Sequence, residues 1–357
     1  MYSEADIDAA IAAGAISEDA ARALRTHVAA LRHTPGADEE SFRLLTGFND
    51  IFVSIASVLL LVALAWIGAS FHKALGGAFV AAAAWPLAEY FTRTRRMALP
   101  SIILLLAFVG GIGGTFIGLL VEHADAWLGK NPAPALVGFI SVGIGAAMVT
   151  GAWLHWRRFM VPITVAAGAA ALAGTAIAAV LAVLRTTGME SPGENIVMAL
   201  IMTAGITIFL AAMWWDRSDR ERQTRRSDVA FWLHLLAAPM IAHSLFALLG
   251  VSDGQAIGLP VVGLVIALYL LFGLVALAID RRALLVSALA YVLFAMTQLF
   301  EQFGAVELNV ALTGLVIGSA LLLLSAFWQH ARRLVVATLP DAVRTMVPAP
   351  AQIANPA

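Results

Sequence analysis

Few residues of this chain combine a chemically useful side chain with a place inside an apolar segment or at its edge. They are His234 and His243, Glu89, and a group formed by Gln298, Glu301, Gln302, Glu307 and Asn309. An imidazole titrates close to neutrality, so it can pass a proton, hydrogen-bond a substrate or ligate a metal. His234 and His243 bracket Pro239 in the stretch WLHLLAAPMIAHSLF. Nine residues at about 100° each put the two rings on opposite faces of a straight helix, so they cannot share one metal ion. At a rise of ~1.5 Å per residue, each lies roughly 9 Å from its own end of the span. Between them, Pro239 removes one backbone hydrogen bond, which can kink the helix and leave carbonyls for a partner or for water.

Two readings of the histidines stay open. In one, each is a neutral ring bonded to a neighbouring helix. In the other, His243 forms a proton or substrate relay with Gln298, Glu301 and their neighbours at the turn between the last two spans. Glu89 sits one turn ahead of Arg93, where it can reach the interface or form an i,i+4 pair. No HExxH, GxSxG, GxxxxGK[ST] or CxxC motif occurs, and each of those patterns is tied to a specific metal, nucleophile or phosphate chemistry. Gly110, Gly111, Gly113 and Gly114 resemble a nucleotide loop only in composition, because they lie in an apolar run with no strand before them. The expectation is a non-enzymatic protein with no cofactor and no metal.

The elements that must position these groups follow from composition. Of 357 residues, 61% are hydrophobic and 13% charged, and mean hydropathy is +0.87. Ordinary soluble domains carry roughly 25% charged residues, so an all-α polytopic membrane bundle is expected, with the lipid bilayer as its main partner. A net charge of −1 gives no basis for nucleic-acid binding, and zero cysteines exclude disulfides and thiolate chemistry. Ten apolar runs of spanning length are legible: 51–71, 74–91, 99–121, 135–154, 159–184, 196–215, 229–249, 259–279, 283–300 and 306–328. They make a transmembrane domain over 51–328, followed by a flexible cytoplasmic tail over 329–357 that contains Pro340, Pro348, Pro350 and Pro356.

The basic residues supply an orientation. With a cytoplasmic N-terminus and ten crossings, 19 of the 22 lysines and arginines fall on one side: Arg22, Arg25, Arg32 and Arg43, then Arg93, Arg95 and Arg96, then Arg157 and Arg158, then five between Asp216 and Asp228, then Arg281 and Arg282, and last Arg332, Arg333 and Arg344. Only Lys73, Lys130 and Arg185 fall outside. Adding or dropping one span would destroy this asymmetry, so both termini are predicted to be cytoplasmic. The connection Asp216–Asp228, with five arginines and four acids in 13 residues, reads as a solvated turn that enforces orientation, or as a binder of anionic headgroups. Among formal charges, Glu89 is the one expected inside a span, with Glu307 at the turn that opens the tenth run.

Residues 1–50 form a separate cytoplasmic unit without the composition of a secretory signal. Ser3 is placed to cap a helix carrying Ile7 and Ile11, Gly14 to end it in a left-handed turn, and Ser17 to cap a second helix. That helix aligns Ala21, Leu24, Val28 and Leu31 before Pro35 and Gly36 stop it. A hairpin this small docks on its own membrane domain, or binds a partner or a second copy through residues 1–34. Within the membrane, Gly110, Gly114 and Gly118 in the third span, and Gly314 with Gly318 in the tenth, are spaced for close helix packing.

The stretch IAAGAISEDAARALRTHVAAL, with Gly14, Ile16 and Ser17, is similar to the opening domain of a family of uncharacterised bacterial predicted membrane proteins, classed as a domain of unknown function. That resemblance covers about the first 70 residues and the general architecture. It implies a bacterial inner-membrane location and brings no catalytic residue. Ten spans and this length are also similar to the drug/metabolite transporter superfamily, built from two five-helix halves. The glycine strip of the third span has no counterpart in the eighth, however, and the 50-residue hairpin is foreign to that superfamily. The expected function is therefore a scaffold or sensor, with a secondary transporter as the alternative. Transport would require a cavity near the midplane, lined by groups such as His243, Gln298 and Thr207.

Overall fold

A computed structural model describes residues 7, 10–24, 48–129, 133–188, 192–219, 222, 224–251, 258–303 and 308–348. The chain divides into two units, Met1–Phe42 with Pro350–Ala357, and Arg43–Ala349.

In the first unit, the local signals act as their chemistry dictates. Gly14 has φ +70°, and Ala15 N–H reaches back to the Ala10 carbonyl at 2.9 Å, which is the six-to-one bond of a Schellman ending with glycine in the left-handed position. Ser17 Oγ then accepts Ala20 N–H at 3.1 Å and starts a helix described over 18–24. Ala21 is fully buried, whereas Leu24 is 45% exposed. Ser3, Val28, Leu31, Pro35 and Gly36 lie outside the described residues.

The second unit is all-α, with no strand among the described residues. Its helices are α1 (Phe48–Phe71), α2 (Lys73–Ala88, continued by a π-helical turn over Glu89–Thr94), α3 (Ala98–Trp127), α4 (Pro134–Phe159), α5 (Ile163–Thr186) and α6 (Glu194–Ser218). They are followed by α7 (Arg225–Leu248), α8 (Leu259–Ile279), α9 (Ala283–Gln302), α10 (Asn309–Ala326), α11 (Trp328–Thr338) and the short α12 (Asp341–Arg344). Ten of these, α1 to α10, are long and apolar enough to cross a membrane. All ten match the runs read from the sequence, most of them extended by a few residues because helix continues into the polar flanks. The π-helical turn follows Pro86, whose missing N–H interrupts the i→i−4 ladder of α2.

The tail differs from expectation. Residues 328–338 continue as an amphipathic helix with Trp328, Arg332 and Val336 buried on one face, so the first part of the expected flexible segment is ordered by side chains spaced four residues apart.

Close packing is decided by backbone approach. A Cβ on Gly118 would lie 2.6 Å from the Lys73 carbonyl oxygen, and one on Gly111 would lie 2.8 Å from that of Gly77. Glycine at these two positions lets α3 touch the backbone of α2. Gly114 has a looser approach, at 3.6 Å from Gly77 Cα, while a Cβ on Gly110, Gly314 or Gly318 would meet nothing within 4 Å. The expected strip is thus shifted by one residue at its start, from Gly110 to Gly111, and the pair on α10 faces no neighbour among the described residues. A repeat of four in the sequence marks a smooth face, but the helix's rotation about its axis selects which smooth face is used.

The core lies around α7, the most buried of the ten spans. Val229, Leu233 and Ala237 pack with Ile208 and Ala212 of α6. Ala238, Ala242 and Phe246 pack with Val262, Val265 and Phe272 of α8 and with α9.

Candidate functional site

The strongest assembly of ionisable groups lies where α6 and α8 end and α7 and α11 begin. Asp216 occupies the last turn of α6 and its side chain is fully buried. A carboxylate at a helix C-terminus opposes the helix dipole, so it needs compensation from cations. His234 Nε2 lies 3.0 Å from Asp216 Oδ2, and Arg281 donates from Nη2 to Asp216 Oδ1 at 2.8 Å. The same Arg281 nitrogen donates to the Ser227 carbonyl at 3.1 Å, which fastens the first turn of α7 to the end of α8. His234 Nδ1 is buried with no hydrogen-bond partner among the described residues.

Asp280 is the second anchor. It ends α8 in a left-handed conformation, φ +58°, with Arg281 N–H returning to the Ala276 carbonyl at 2.9 Å. This is again a Schellman ending, here with aspartate where glycine is usual. Asp280 accepts from Arg222 Nη1 at 2.9 Å and from Trp328 Nε1 at 2.7 Å, and Arg332 Nε approaches to 3.6 Å. Arg222 also donates from Nη2 to the carbonyls of Ile279 at 3.1 Å and Asp280 at 3.3 Å, satisfying carbonyls that the helix end leaves open. Burial pushes the Arg222 guanidinium below its ordinary value, and Arg281 adds repulsion, while Asp280 and Asp216 oppose both. Arg332 donates to the Pro348 carbonyl at 2.7 Å, which draws the segment after α12 into the same assembly. Three guanidinium groups and two carboxylates therefore join four helix ends in a largely buried setting.

The connection between α6 and α7 is correspondingly structured. Thr224 donates its N–H and its hydroxyl to Asp219 Oδ2 at 2.9 and 2.7 Å, and its Oγ1 caps α7 by accepting Arg226 N–H at 3.2 Å. The expectation of a merely solvated turn over Asp216–Asp228 is corrected: Asp216 is inside the protein, and Glu89 is not the sole carboxylate within a spanning helix. Helix α6 runs three residues beyond the apolar run, which carries Asp216 under the packed ends of α7 and α8.

The other expected site residues are distributed elsewhere. His234 is 2% exposed while His243 is on an exposed face of α7, in agreement with the opposite faces implied by their spacing. His243 Nδ1 bonds Tyr291 Oη of α9 at 2.5 Å. Glu301 instead takes Asn309 Nδ2 at 2.6 Å and Gln298 Nε2 at 3.1 Å, so among the described residues no hydrogen bond joins His243 directly to Gln298, Glu301 or Asn309. The side chain of Gln302, and Glu307, lie outside the described residues. Thr207 is exposed and bonds the Thr203 carbonyl of its own helix at 2.8 Å. Glu89 pairs with Arg93 at 3.3 Å, and also with Arg158 of α4 through two bonds of 2.6 and 3.0 Å.

One buried imidazole escapes sequence reading. His155 is fully buried, with Nδ1 3.3 Å from Thr164 Oγ1 and the rings of Trp85, Phe108 and Phe159 around it. Its neighbours Trp156, Arg157 and Arg158 mark a membrane boundary, where a histidine draws no notice. Among the described residues no group of three or more metal-ligating side chains converges. The apolar cleft between α3, α4 and α5, of about 480 Å³, is lined by Leu106, Gly110, Ile144, Met148 and Ala170 with only Ser141 and Thr175 as polar side chains. Comparison with protein-family models, curated proteins and solved structures returns no match.

Proposed function

We propose that this chain is a non-enzymatic protein of a bacterial inner membrane, with both termini in the cytoplasm, and that it serves as a scaffold or sensor whose working surface is its cytoplasmic face. One observation carries this reading: the largest buried charge assembly among the described residues joins the arginine-bearing ends of α6, α7, α8 and α11 into one fixed surface. Charges placed at the headgroup boundary and bonded to one another hold a shape; a transport path needs polar groups exposed to a water-filled cavity near the midplane. The cleft at membrane depth is lined mainly by apolar and small side chains. The N-terminal hairpin, residues 1–34, is the candidate partner-binding element.

The absence of native cysteine makes the orientation directly testable. Single cysteines at Arg226 and Arg333 should react with an impermeant maleimide in inside-out vesicles only. For the role itself, crosslinking in the host should capture the same partners with the intact chain and with a conservative surface variant, and lose them after deletion of residues 1–40 or with Asp216→Ala. An unchanged partner set in both would sink the proposal. A second reading, proton-coupled transport, is favoured by the buried Asp216–His234 pair with its unpartnered Nδ1. Proteoliposomes loaded with a pH-sensitive dye separate the two: proton flux that His234→Ala abolishes supports transport, and no flux supports the scaffold.

A further inference from the structure

The end of α2 carries a polar notch independent of the Asp216 assembly. It has a volume of about 460 Å³ and is lined by Pro86, Glu89, Tyr90, Arg93 and Thr94. The notch sits on the π-helical turn, where the wider backbone follows the proline. Five arginines gather at the two neighbouring helix ends: Arg93, Arg95 and Arg96 after α2, and Arg157 and Arg158 closing α4. All five are exposed. Arg158 consumes both oxygens of Glu89 in a forked pair, and Arg93 gives that carboxylate only one longer bond, at 3.3 Å. Arg95, Arg96 and Arg157 have no carboxylate partner among the described residues; Arg95 lies over Tyr90 and Arg157 over Trp153, both rings being exposed. Exposed Tyr and Trp under arginine are what a helix presents at headgroup level.

We propose that this notch binds the phosphate of an anionic glycerophospholipid, with Arg93 as its main ligand and Arg157 and Arg95 supplying the surrounding positive field. An arginine fork matches phosphate oxygens in two directions at once. The ligand is a lipid and not a free anion because the notch opens onto the lipid-facing side of α2: Ala82, Pro86 and Tyr90 are exposed one above the other at spacings of four, a track along which an acyl chain lies. Glu89 then has a defined place. By engaging Arg158 it holds the two helix ends together, and by engaging Arg93 weakly it competes with the phosphate.

Native mass spectrometry of the full chain, in micelles doped with equal dioleoyl-phosphatidylglycerol and dioleoyl-phosphatidylcholine, tests this. The wild type should retain one phosphatidylglycerol in preference to phosphatidylcholine. Arg93→Gln should weaken that retention about fivefold, the loss of roughly one interfacial arginine contact, while Arg225→Gln with Arg226→Gln on the other arginine-rich connection should leave it unchanged. Glu89→Gln should strengthen retention, an effect that a purely structural ion pair does not produce. If that variant does not fold, the Arg93→Gln result alone decides. Equal retention by wild type and Arg93→Gln would overturn the proposal, as would a loss of the same size in the Arg225/Arg226 variant or displacement of the lipid by inorganic phosphate.

Discussion

Replacing Asp216 by alanine removes the acceptor that holds both His234 and Arg281. The bonds lost are 3.0 and 2.8 Å long, and Arg281 is only 4% exposed, so its guanidinium cannot recover the loss from water. Hydrogen bonds to charged groups contribute ~1.5–3 kcal/mol each, and removing one partner of a buried pair costs about 3–5 kcal/mol because the other charge remains. Asp216→Ala should therefore destabilise by ~3–5 kcal/mol. Asp216→Asn keeps an acceptor for Arg281 but gives up the charge and sets an NH2 donor against His234 Nε2, which the ring can meet only by carrying its proton on Nδ1, so its cost should be smaller than that of alanine but not negligible. The double change Asp216→Ala with Arg281→Met removes the stranded cation and should recover part of the deficit, giving a coupling of ~1–3 kcal/mol in a double-mutant cycle. Unfolding by sodium dodecyl sulfate in mixed micelles, followed by tryptophan fluorescence, measures these variants together with Arg281→Met alone, which the cycle requires. Additive single changes, or an alanine variant within ~0.5 kcal/mol of wild type, would show that Asp216 does not clamp these helix ends.

Other parts of the structure give independent predictions. Trp328→Phe deletes the donor to Asp280 and should cost about 1–3 kcal/mol, with faster amide exchange confined to α11 and its neighbours. At Asp280, glycine relieves the left-handed backbone by ~1–2 kcal/mol yet removes the acceptor of Arg222 and Trp328, so Asp280→Gly should still be destabilising in the same unfolding assay. Gly118→Val forces side-chain atoms into the Lys73 carbonyl and should cost ~1–3 kcal/mol, whereas Gly314→Val, which meets nothing, should be close to neutral; equal effects would contradict the packing of α3 on α2. Tyr291→Phe breaks the bond to His243 and should cost only about 0.6 kcal/mol, the usual size of a hydrogen bond between spanning helices.

The sequence by itself determined the ten spans, the asymmetry of the arginines, the Gly14 and Ser17 caps and the opposite faces of His234 and His243. Each of these is written within a few neighbouring residues: length against bilayer thickness, charge against the interface, a cap against the first free N–H groups. Tertiary structure alone decided that Asp216 meets His234 and Arg281, which are 18 and 65 residues away, that Gly111 and not Gly110 begins the contact with α2, and that residues 328–338 fold back under Asp280. The physical reason is the same in each case. A spanning helix is apolar on every side, so no hydrophobic stripe records which face turns inward. Its rotation is set by backbone contacts and buried charges supplied by other helices.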